Sequence, residues 1–468
     1  MDLNFTNRKQ ELKVLEGAWA KKLAQLVVMY GRRRIGKTAL LSYFAKQKKV
    51  FYWMAYRSTS HDLLKDFSVK LYTHLYPEQP VAENFTYGNW QNLFETLGLY
   101  AQQKKMGVII DEFPYLVEAD SSLPSILQSV WDTKLISSKL FLILSGSRLG
   151  MIKDSILSPK APLYGRATGI IDLAPIELNS LKEFFPHFSP VQLIELYGIT
   201  GGIPKYFEFI EKNKPILKSI ENAIRDKTTF LTSEPEFLLH EEFRETRIYL
   251  ALLRALGEQR MEIGPLALRC GVPAKNISKY IDELVSLKLV ERAVPVLSDP
   301  TKTRKGQYGI RDMFLGFYFR FISPWLQEIE QNRFEQVLQH LHQGFSAYLG
   351  KNVFEKICQE WLAIQADKKE LTFVPERIGS YWDKQVQIDV MAVNHHDQII
   401  LAGECKWTNK EMTAEDITSL EQRIKWVQRQ YDYTIQLIFF SRSGFSASAK
   451  DLAHKKHYRL VGLADLFF

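Results

Sequence analysis

The segment Gly31–Thr38 carries the residues whose types and spacing predict chemistry most directly. It satisfies the pattern GxxxxGK[ST], follows a predicted strand and opens a predicted helix over Ala39–Lys46. In that setting the backbone N–H groups of the loop and the helix N-terminus surround the β- and γ-phosphates of a nucleotide. Lys37 would neutralise phosphate oxygens, and Thr38 would place its hydroxyl oxygen on Mg²⁺. A chance glycine-rich turn is the alternative; the pattern itself predicts a site for ATP or ADP formed by Gly31, Ile35, Gly36, Lys37, Thr38 and Ala39.

Two adjacent acids follow a later apolar run. Val108–Phe113 reads as a buried strand that ends in Asp111 and Glu112. Asp111 would hold Mg²⁺ through water, and Glu112 would act as the general base that polarises the attacking water. An ordinary strand that reaches solvent is the alternative. Downstream of a phosphate loop, the arrangement predicts ATP hydrolysis.

Three residues near the ends of later strands are candidates to complete this site. Ser147 follows the predicted strand Leu140–Ser145, where a γ-phosphate sensor would lie, and a strand-end cap is its alternative. Arg166 and Arg148 are candidates to stabilise transition-state charge, within one chain or across the interface of a homo-oligomer. Their alternative is an exposed arginine that only aids solubility.

A second group of acids lies in the C-terminal part of the chain. Asp389 falls in the predicted strand Gln387–Val393, and Glu404 and Lys406 fall at the end of the next strand, predicted over Gln398–Glu404. Residues two apart in a strand point to the same face, and a hairpin can bring Asp389 beside them. Two carboxylates can hold Mg²⁺ while Lys406 polarises a water for in-line attack on a phosphodiester. A surface salt bridge on a strand pair is the alternative.

The composition describes the chain in which these residues must be positioned. It has 468 residues, 46% hydrophobic and 24% charged, which excludes disorder, collagen and coiled coils and suits roughly three domains of about 150 residues. The net charge of +8 permits a polyanionic partner without requiring one. The three cysteines form no CxxC pair, and no secretion signal or apolar run of ~18 residues is present. We therefore expect a cytoplasmic protein with no zinc site and no membrane partner.

Short apolar runs alternate with amphipathic stretches through residues 1–175. Strands of this kind are buried on both faces and predict an α/β fold with a parallel sheet covered by helices. The predicted strands are Gln25–Tyr30, Val50–Met54, Gly107–Asp111, Leu140–Ser145 and Gly169–Leu173. Residues 176–242 show helical spacing that Gly201–Pro204 interrupts with a turn.

Residues 243–325 predict a winged helix, because three helical stretches are followed by two strand-like runs. These elements are Arg247–Leu256, Pro265–Cys270, Ala274–Lys288, Val290–Leu297 and Gln307–Ile310. The third helix and the hairpin tip carry residues of the kind that meet phosphates and base edges: Lys275, Asn276, Ser278, Lys279, Lys302, Arg304 and Lys305. Such residues predict salt-sensitive binding of double-stranded DNA. A winged helix that packs domains together and has a solvated tip is the alternative.

Six segments together carry a resemblance to a known family. They are Phe5–Leu12, Gly31–Thr38, Ile110–Leu116, Ser145–Ser147, Tyr164–Arg166 and Gly201–Tyr206. With these segments the chain resembles the archaeal-type AAA-like ATPases of the STAND group. The resemblance implies that the opening segment, with Arg8, packs near the adenine and that residues 176–242 form a helical lid over a P-loop NTPase core.

The same resemblance extends to the C-terminal residues 326–468. It implies an α+β, restriction-endonuclease-like domain of the PD-(D/E)XK type, in which Asp389, Glu404 and Lys406 match the core motif. Glu355, in a predicted amphipathic helix over Lys351–Trp361, matches the helix acid that often completes the metal site. Gln387 stands where relatives carry glutamate, so one peripheral acid is absent.

The order of these modules predicts an ATP-driven switch. The core would bind and hydrolyse Mg-ATP, and the nucleotide state would move the winged helix and the nuclease-like domain against it, so that cleavage of nucleic acid is gated by ATP. The alternative is a signalling or scaffold ATPase whose C-terminal domain is an inactive binding module. A third reading is an ADP-locked protein with negligible turnover.

Overall fold

The computed structural model of the protein describes residues 6–226 and 228–467. The chain divides into two compact units. The first holds the residues up to Ile176 together with Ile203–Lys205, and the second holds Glu177–Gly202 and the chain from Tyr206 onward. Each unit contains its own five-stranded sheet.

The first unit is built around a parallel sheet. Its strands are β1 (Gln25–Tyr30), β2 (Phe51–Met54), β3 (Met106–Asp111), β4 (Leu140–Gly146) and β5 (Gly169–Asp172). They lie in the order β2-β3-β4-β1-β5, and every neighbouring pair is parallel. β3 and β4 are buried along their whole length, as apolar runs in a covered sheet require. The predicted α/β fold with a P-loop-type parallel sheet is confirmed.

Helices pack on this sheet and complete the first unit. They are α1 (Lys9–Ala20), α2 (Lys37–Lys48), α3 (Ser60–Leu75), α4 (Trp90–Gln103), α5 (Phe113–Ala119), α6 (Leu123–Val130) and α7 (Leu149–Ile152), with π-helical segments at Trp131–Leu135 and Lys153–Leu157. Because α2 starts at Lys37, this lysine and Thr38 belong to its first turn. Neighbouring parallel strands end at one edge of a sheet, so the loop after β1 and the residues that end β3 and β4 meet there.

Short helices open the second unit in the region predicted as helical. They are α8 (Leu181–Phe184), α9 (Pro190–Thr200), α10 (Ile216–Arg225) and α11 (Glu234–Glu242), with a 3₁₀ turn at Leu178–Ser180. A further 3₁₀ turn, Pro204–Phe209, begins with residues that belong to the first unit. Gly201 ends α9 with a φ of 59°, a backbone conformation that favours glycine. The turn expected at Gly201–Pro204 therefore separates α9 from the next helices.

Three helices and a hairpin follow in the order of a winged helix. They are α12 (Arg247–Glu258), α13 (Ile263–Cys270), α14 (Ala274–Ser286), β6 (Val290–Ala293) and β7 (Gln307–Ile310). β6 and β7 are antiparallel. The predicted strand Val290–Leu297 is too long, because pairing with β7 ends at Ala293 and the next apolar residues, Val296 and Leu297, join a different hydrophobic core.

The C-terminal part is a mixed sheet with helices. The helices are α15 (Met313–Phe321), α16 (Leu326–Glu330), α17 (Glu335–Tyr348), α18 (Glu355–Asp367), α19 (Ala414–Gln428) and α20 (Ala447–Lys456), with a π-helical segment at Leu349–Phe354 and 3₁₀ turns at Ser323–Trp325 and Leu463–Leu466. The strands are β8 (Arg377–Trp382), β9 (Gln387–Asn394), β10 (Ile399–Lys406), β11 (Thr434–Ser441) and β12 (Arg459–Gly462). Their order is β12-β11-β10-β9-β8; β9 is antiparallel to β8 and β10, whereas β11 is parallel to β10 and β12. β8 and β12 were not predicted.

Across residues 6–226 and 228–467, no helix combines the length and the apolar character needed to cross a membrane.

Candidate functional site

The phosphate loop joins β1 to α2 and closes around the side chain of Lys37. The Lys37 ammonium donates to the carbonyl oxygens of Gly31 at 3.0 Å and Arg32 at 3.1 Å. Gly31 has no room for a side chain, since a Cβ there would lie 2.6 Å from the Leu173 carbonyl oxygen. Gly36 precedes the helix with a φ of 99°, which also favours glycine. These glycines let the backbone follow the tight path that a phosphate-binding loop requires.

Arg8 is hydrogen-bonded to the backbone of this loop. Its guanidinium donates to the Ile35 carbonyl oxygen at 3.0 Å and to Glu11 at 3.0 Å, and the residue is buried. Ile35 is itself buried, whereas Ala39 lies exposed in the first turns of α2. A contact between Arg8 and adenine stays a prediction, and Phe5 lies outside the described residues.

The two predicted ligands of Mg²⁺ in the first unit are in direct contact. The Thr38 hydroxyl donates to the Asp111 carboxylate at 2.8 Å, and Asp111 is fully buried at the end of β3. The Tyr52 hydroxyl donates to the same carboxylate at 2.7 Å, and the Ser145 hydroxyl donates to its other oxygen. Burial and the charge of Asp111 raise the pKa of Tyr52, which keeps this donor protonated. A hydroxyl and a carboxylate beside a phosphate loop fit Mg²⁺, which binds few protein oxygens and takes its other ligands from phosphates and water.

The predicted general base and the predicted sensor are hydrogen-bonded to each other. Glu112 adopts a φ of 53°, and its carboxylate accepts from the Ser147 backbone N–H at 3.1 Å and from the Ser147 hydroxyl at 2.9 Å. The ends of β3 and β4 thus bring Asp111, Glu112 and Ser147 to one edge of the sheet. The catalytic roles of these residues stay predictions.

Both candidate arginines are bound to acids of the same unit. Arg166 donates through two nitrogens to the two carboxylate oxygens of Asp132, at 3.2 and 2.9 Å, and to the Tyr164 carbonyl oxygen at 2.9 Å. Arg148 pairs with Glu118 at 2.7 Å. In the structure both guanidinium groups are therefore partly neutralised by carboxylates of the first unit.

The acids predicted in the second unit form a cluster. β9 and β10 pair Val390 with Gly403, which places Asp389 and Glu404 side by side at the end of the paired stretch. The Asp389 carboxylate accepts from the Cys405 backbone N–H at 3.0 Å. Glu355 begins α18, directly after the π-helical segment Leu349–Phe354. The sheet and α18 therefore bring together the three acids that the sequence predicted.

Burial and mutual repulsion change the acidity of this cluster. Burial, followed by the charge of Asp389, raises the pKa of Glu355 to about 8. Burial raises the pKa of Asp389, although the hydrogen bond from the Cys405 backbone lowers it in part. Burial, followed by the charge of Asp389, raises the pKa of Glu404. Acids that crowd in this way favour a shared proton or a bound cation.

Helix α19 supplies two partners that the sequence did not predict. Arg423 donates to the Glu404 carboxylate at 2.7 Å, and Asp416 forms an ion pair with Lys406. Within the described parts of the chain, no three His, Cys, Asp or Glu side chains are arranged to hold a metal ion. The carboxylates suit a divalent metal chemically, but Arg423 already occupies one oxygen of Glu404. The capping sequence Thr413–Asp416 could have placed Asp416 at a helix start.

The candidate DNA-binding residues lie in two exposed segments. Lys275, Asn276, Ser278 and Lys279 are exposed on the first turns of α14, and Lys302, Arg304 and Lys305 are exposed between β6 and β7. Lys302 lies 3.6 Å from the Asp299 carboxylate, which reduces the positive charge at the tip. DNA binding by these segments stays a prediction.

Comparison with known protein families gives two matches along the chain. Residues 5–210 match a family described as an ATPase domain predominantly from Archaea. Residues 318–417 match a family of archaeal and bacterial proteins of unknown function. The first match covers the phosphate loop and the acids of β3, and the second covers the carboxylate cluster.

Two curated relatives come from Methanocaldococcus jannaschii. The uncharacterized protein MJECL04 is 32% identical over 416 residues, which cover 89% of this chain and 90% of that protein. The uncharacterized ATP-binding protein MJ0423 is 50% identical over 46 residues, 10% of this chain and 78% of that protein. Among solved structures, a Walker-type ATPase of Pyrococcus abyssi has a TM-score of 0.49 at 19% identity and covers 68% of this chain and 96% of its own. Cdc6p of Pyrobaculum aerophilum has a TM-score of 0.33 at 14% identity, covering 70% and 97%.

Proposed function

Because the chain belongs to the family of MJECL04 and carries an archaeal-type P-loop ATPase domain, we propose that it is an ATP-driven switch of the STAND type. In this proposal residues 1–175 form the ATPase core, 176–242 the helical lid, 243–325 the winged helix and 326–468 a PD-(D/E)XK nuclease-like domain. ATP binding and hydrolysis in the core change the state of the second unit. The second unit then binds duplex DNA and cleaves nucleic acid.

The contacts at the edge of the first sheet support the ATPase part of the proposal. Lys37 lies inside the phosphate loop, Thr38 touches Asp111, and Glu112 is held by Ser147. Mg²⁺, when bound by Thr38 and Asp111, supplies positive charge to the phosphates of the nucleotide. Glu112 can then take a proton from the attacking water once its carboxylate leaves Ser147. Ser147 is in turn free to bind the γ-phosphate.

The ATPase part of the proposal is tested by substituting Lys37 and measuring ATP affinity. In Lys37→Ala the phosphates lose a charged hydrogen-bond donor, so ATP affinity should fall by about 10- to 100-fold, equivalent to ~1.5–3 kcal/mol. Isothermal titration measures it. Lys46→Ala, an exposed lysine of the same helix, is the matched control and should bind ATP like the wild type. Equal affinities in the two variants would refute an ATP site at this loop.

The carboxylate cluster supports the nuclease part. Besides burial, the charge of Asp389 raises the pKa values of Glu355 and Glu404, so a divalent cation would relieve this repulsion, and Lys406 stands two residues from Glu404 on the same strand. Asp389→Ala and Lys406→Ala should each abolish Mg²⁺-dependent cleavage of DNA while ATP turnover survives. The matched control is Lys410→Ala, an exposed lysine just after β10. Wild-type protein that cuts neither DNA nor RNA with any metal or nucleotide would refute this part.

The ion pairs of α19 favour a second candidate function. Arg423 on Glu404 and Asp416 on Lys406 occupy two of the groups that a nuclease needs. In this alternative the protein is a signalling or scaffold ATPase, and the C-terminal domain is an inactive module that binds a partner. A nucleotide-dependent change of mass in light scattering, without affinity for DNA, would identify this function.

A further inference from the structure

The strand β6 of the winged helix is joined to α18 by half-buried charges. The Glu291 carboxylate accepts from Lys356 at 3.0 Å and from Arg260 at 2.9 Å. The Lys356 side chain is only 17% exposed, and the residue directly follows Glu355 of the carboxylate cluster. Separating Glu291 from Lys356 would leave a half-buried cation without its acid, so this contact resists movement.

The chain after β6 forms a second attachment, which leads to Asp389. The Val296 backbone N–H donates at 3.0 Å to the carbonyl oxygen of Ser380, which lies in the outer strand β8. The Ser380 hydroxyl donates to the Asp389 carbonyl oxygen at 2.9 Å, and Gln359 of α18 donates to the Ser380 hydroxyl and to the same carbonyl oxygen at 3.0 and 3.1 Å. Residues Val296–Ser298, which follow β6, are called here the base of the wing. Two hydrogen bonds therefore connect the base of the wing to the strand that carries Asp389.

Apolar packing reinforces both attachments. Val296 and Leu297, which follow β6, are 1% and 7% exposed and lie in one hydrophobic core with residues of β9 and β10, such as Met391 and Ile400. Arg377 of β8 also donates to the Ser298 carbonyl oxygen. The base of the wing is thus part of the C-terminal core, and it cannot move without exposing these side chains to water.

The first turns of α14 in the winged helix remain open to solvent. The first turns of α14 present Lys275, Asn276 and Lys279, all exposed, while Ile277 and Ile281 face the interior. Packing through the wing and exposure of α14 are therefore compatible. The winged helix can bind an external polyanion while it stays fixed to the C-terminal sheet.

We infer that the winged helix and the carboxylate cluster form one fixed-geometry device that holds a duplex by α14 and presents it to Asp389 and Glu404 in a single register. This inference rests on the proposed DNA binding. The substrate class is a double-stranded polynucleotide, and the nucleotides that face Asp389 and Glu404 lie at a constant distance along the duplex from those that contact α14. In the proposed cleavage a water oxygen bonds to phosphorus as one P–O bond to a sugar oxygen breaks. The water loses a proton and the released sugar oxygen gains one, so one phosphodiester and one water give a phosphomonoester and a hydroxyl.

Double photocrosslinking tests the inference without requiring cleavage. Benzophenone amino acids are placed at Lys279 of α14 and at Lys351, an exposed residue whose charge acts on Glu355 and Asp389. The full chain is irradiated on a labelled random-sequence duplex, and the two crosslinked nucleotides are mapped on each doubly crosslinked molecule. A fixed device gives one separation between them, wherever on the duplex the protein binds. A broad distribution of separations in the otherwise unmodified chain would overturn the inference.

Variants of the attachment sharpen the result. Glu291→Gln combined with Lys356→Met and Arg260→Met removes the charged contact without leaving one of its charges alone, and Val296→Ala weakens the apolar contact; each should broaden the distribution at least twofold. Glu258→Gln combined with Arg269→Met removes an ion pair that lies wholly inside the winged helix and should leave it unchanged. Equal distributions in all three variants would overturn the inference.

The crosslinking pattern also separates this inference from the proposed function. Crosslinks at position 279 with none at position 351 would refute the fixed device and leave DNA binding intact. No crosslink at either position, in any duplex, would refute DNA binding and the inference with it. Absence of cleavage by the wild type concerns only the nuclease proposal, because crosslinking needs no active acid.

Discussion

Two acid-rich regions of the chain, the end of β3 in the first unit and the strands β9 and β10 in the second, hold their carboxylates in different ways. Asp111 accepts from the neutral hydroxyls of Thr38 and Tyr52, whereas Glu404 is bound by the Arg423 guanidinium. A metal ion that binds Asp111 competes with neutral hydroxyl donors, whereas a metal ion that binds Glu404 competes with the positive charge of Arg423. The first region is therefore arranged to receive its ligand, and the charges of the second must be released before they can act.

The largest expected effect concerns Glu112, because the comparison fails if the first region has no catalytic acid. Glu112→Gln should lower ATP turnover by about 10²- to 10⁴-fold, the usual contribution of a general base. ATP affinity should change little, because Lys37 and Thr38 remain in place. Phosphate release at saturating ATP measures turnover, and titration calorimetry measures affinity. Glu16→Gln alters an exposed carboxylate that pairs with Lys48 and is the control; turnover in Glu112→Gln as high as in this control would contradict the assignment.

Substitution of Arg166 tests whether this arginine, which is paired with Asp132, also stabilises the transition state of ATP hydrolysis. Arg166→Ala should lower ATP turnover by about tenfold, because a charged hydrogen bond to the transition state contributes ~1.5–3 kcal/mol. Asp132→Ala frees the same arginine without removing it and should stay within threefold of the wild type. Steady-state ATPase assays over a protein concentration series compare the two and show whether the effect depends on subunit association. Equal losses in both variants would mean that the Arg166–Asp132 pair is only structural.

Tyr52 sharpens the comparison, because its neutral hydroxyl donates to the same Asp111 carboxylate that a metal ion would bind. Tyr52→Phe removes a hydrogen bond worth about 1 kcal/mol and should lower the Mg²⁺ concentration for half-maximal ATP turnover by about fivefold. Tyr56→Phe, an exposed tyrosine just after the same strand, should leave the requirement unchanged. A higher Mg²⁺ requirement in Tyr52→Phe would show instead that the hydroxyl positions the carboxylate.

The sequence predicted the first region better than the second for a physical reason. Each strand of the first sheet is a short apolar run between turn residues, and parallel strands bring their ends together, so Asp111 and Ser147 could be placed at one edge from local patterns alone. The partners Tyr52 and Arg423 lie 59 and 19 residues from the acids they bind. Contacts of that kind depend on how helices and strands pack, which local spacing does not encode.

The winged helix shows the same limit. The apolar residues Val296 and Leu297 were read as a continuation of β6, because an apolar residue is equally suited to a hairpin and to the core of a neighbouring sheet. The predicted ends of helices α12 to α14 all lie within two residues of the observed ones, since their periodicity and the turn at Gly271 are local. Sequence patterns thus identified the elements but not which core each element completes.

Asp383 gives the smallest expected effect and asks whether neutral donors also stabilise an acid in the second unit. Burial raises the pKa of this carboxyl, but the backbone N–H groups of Val386 and Gln385 and the Trp426 indole lower it to about 2. Because the folded pKa lies below the unfolded value, this stabilisation is complete above about pH 4 and is lost as the pH falls toward 2. Asp383→Asn should therefore cost about 0.5–1 kcal/mol at pH 6, allowing for solvent screening, and less at pH 3. Urea unfolding followed by tryptophan fluorescence measures the difference, and a cost that does not depend on pH would mean that packing, rather than the ionised acid, holds the turn between β8 and β9.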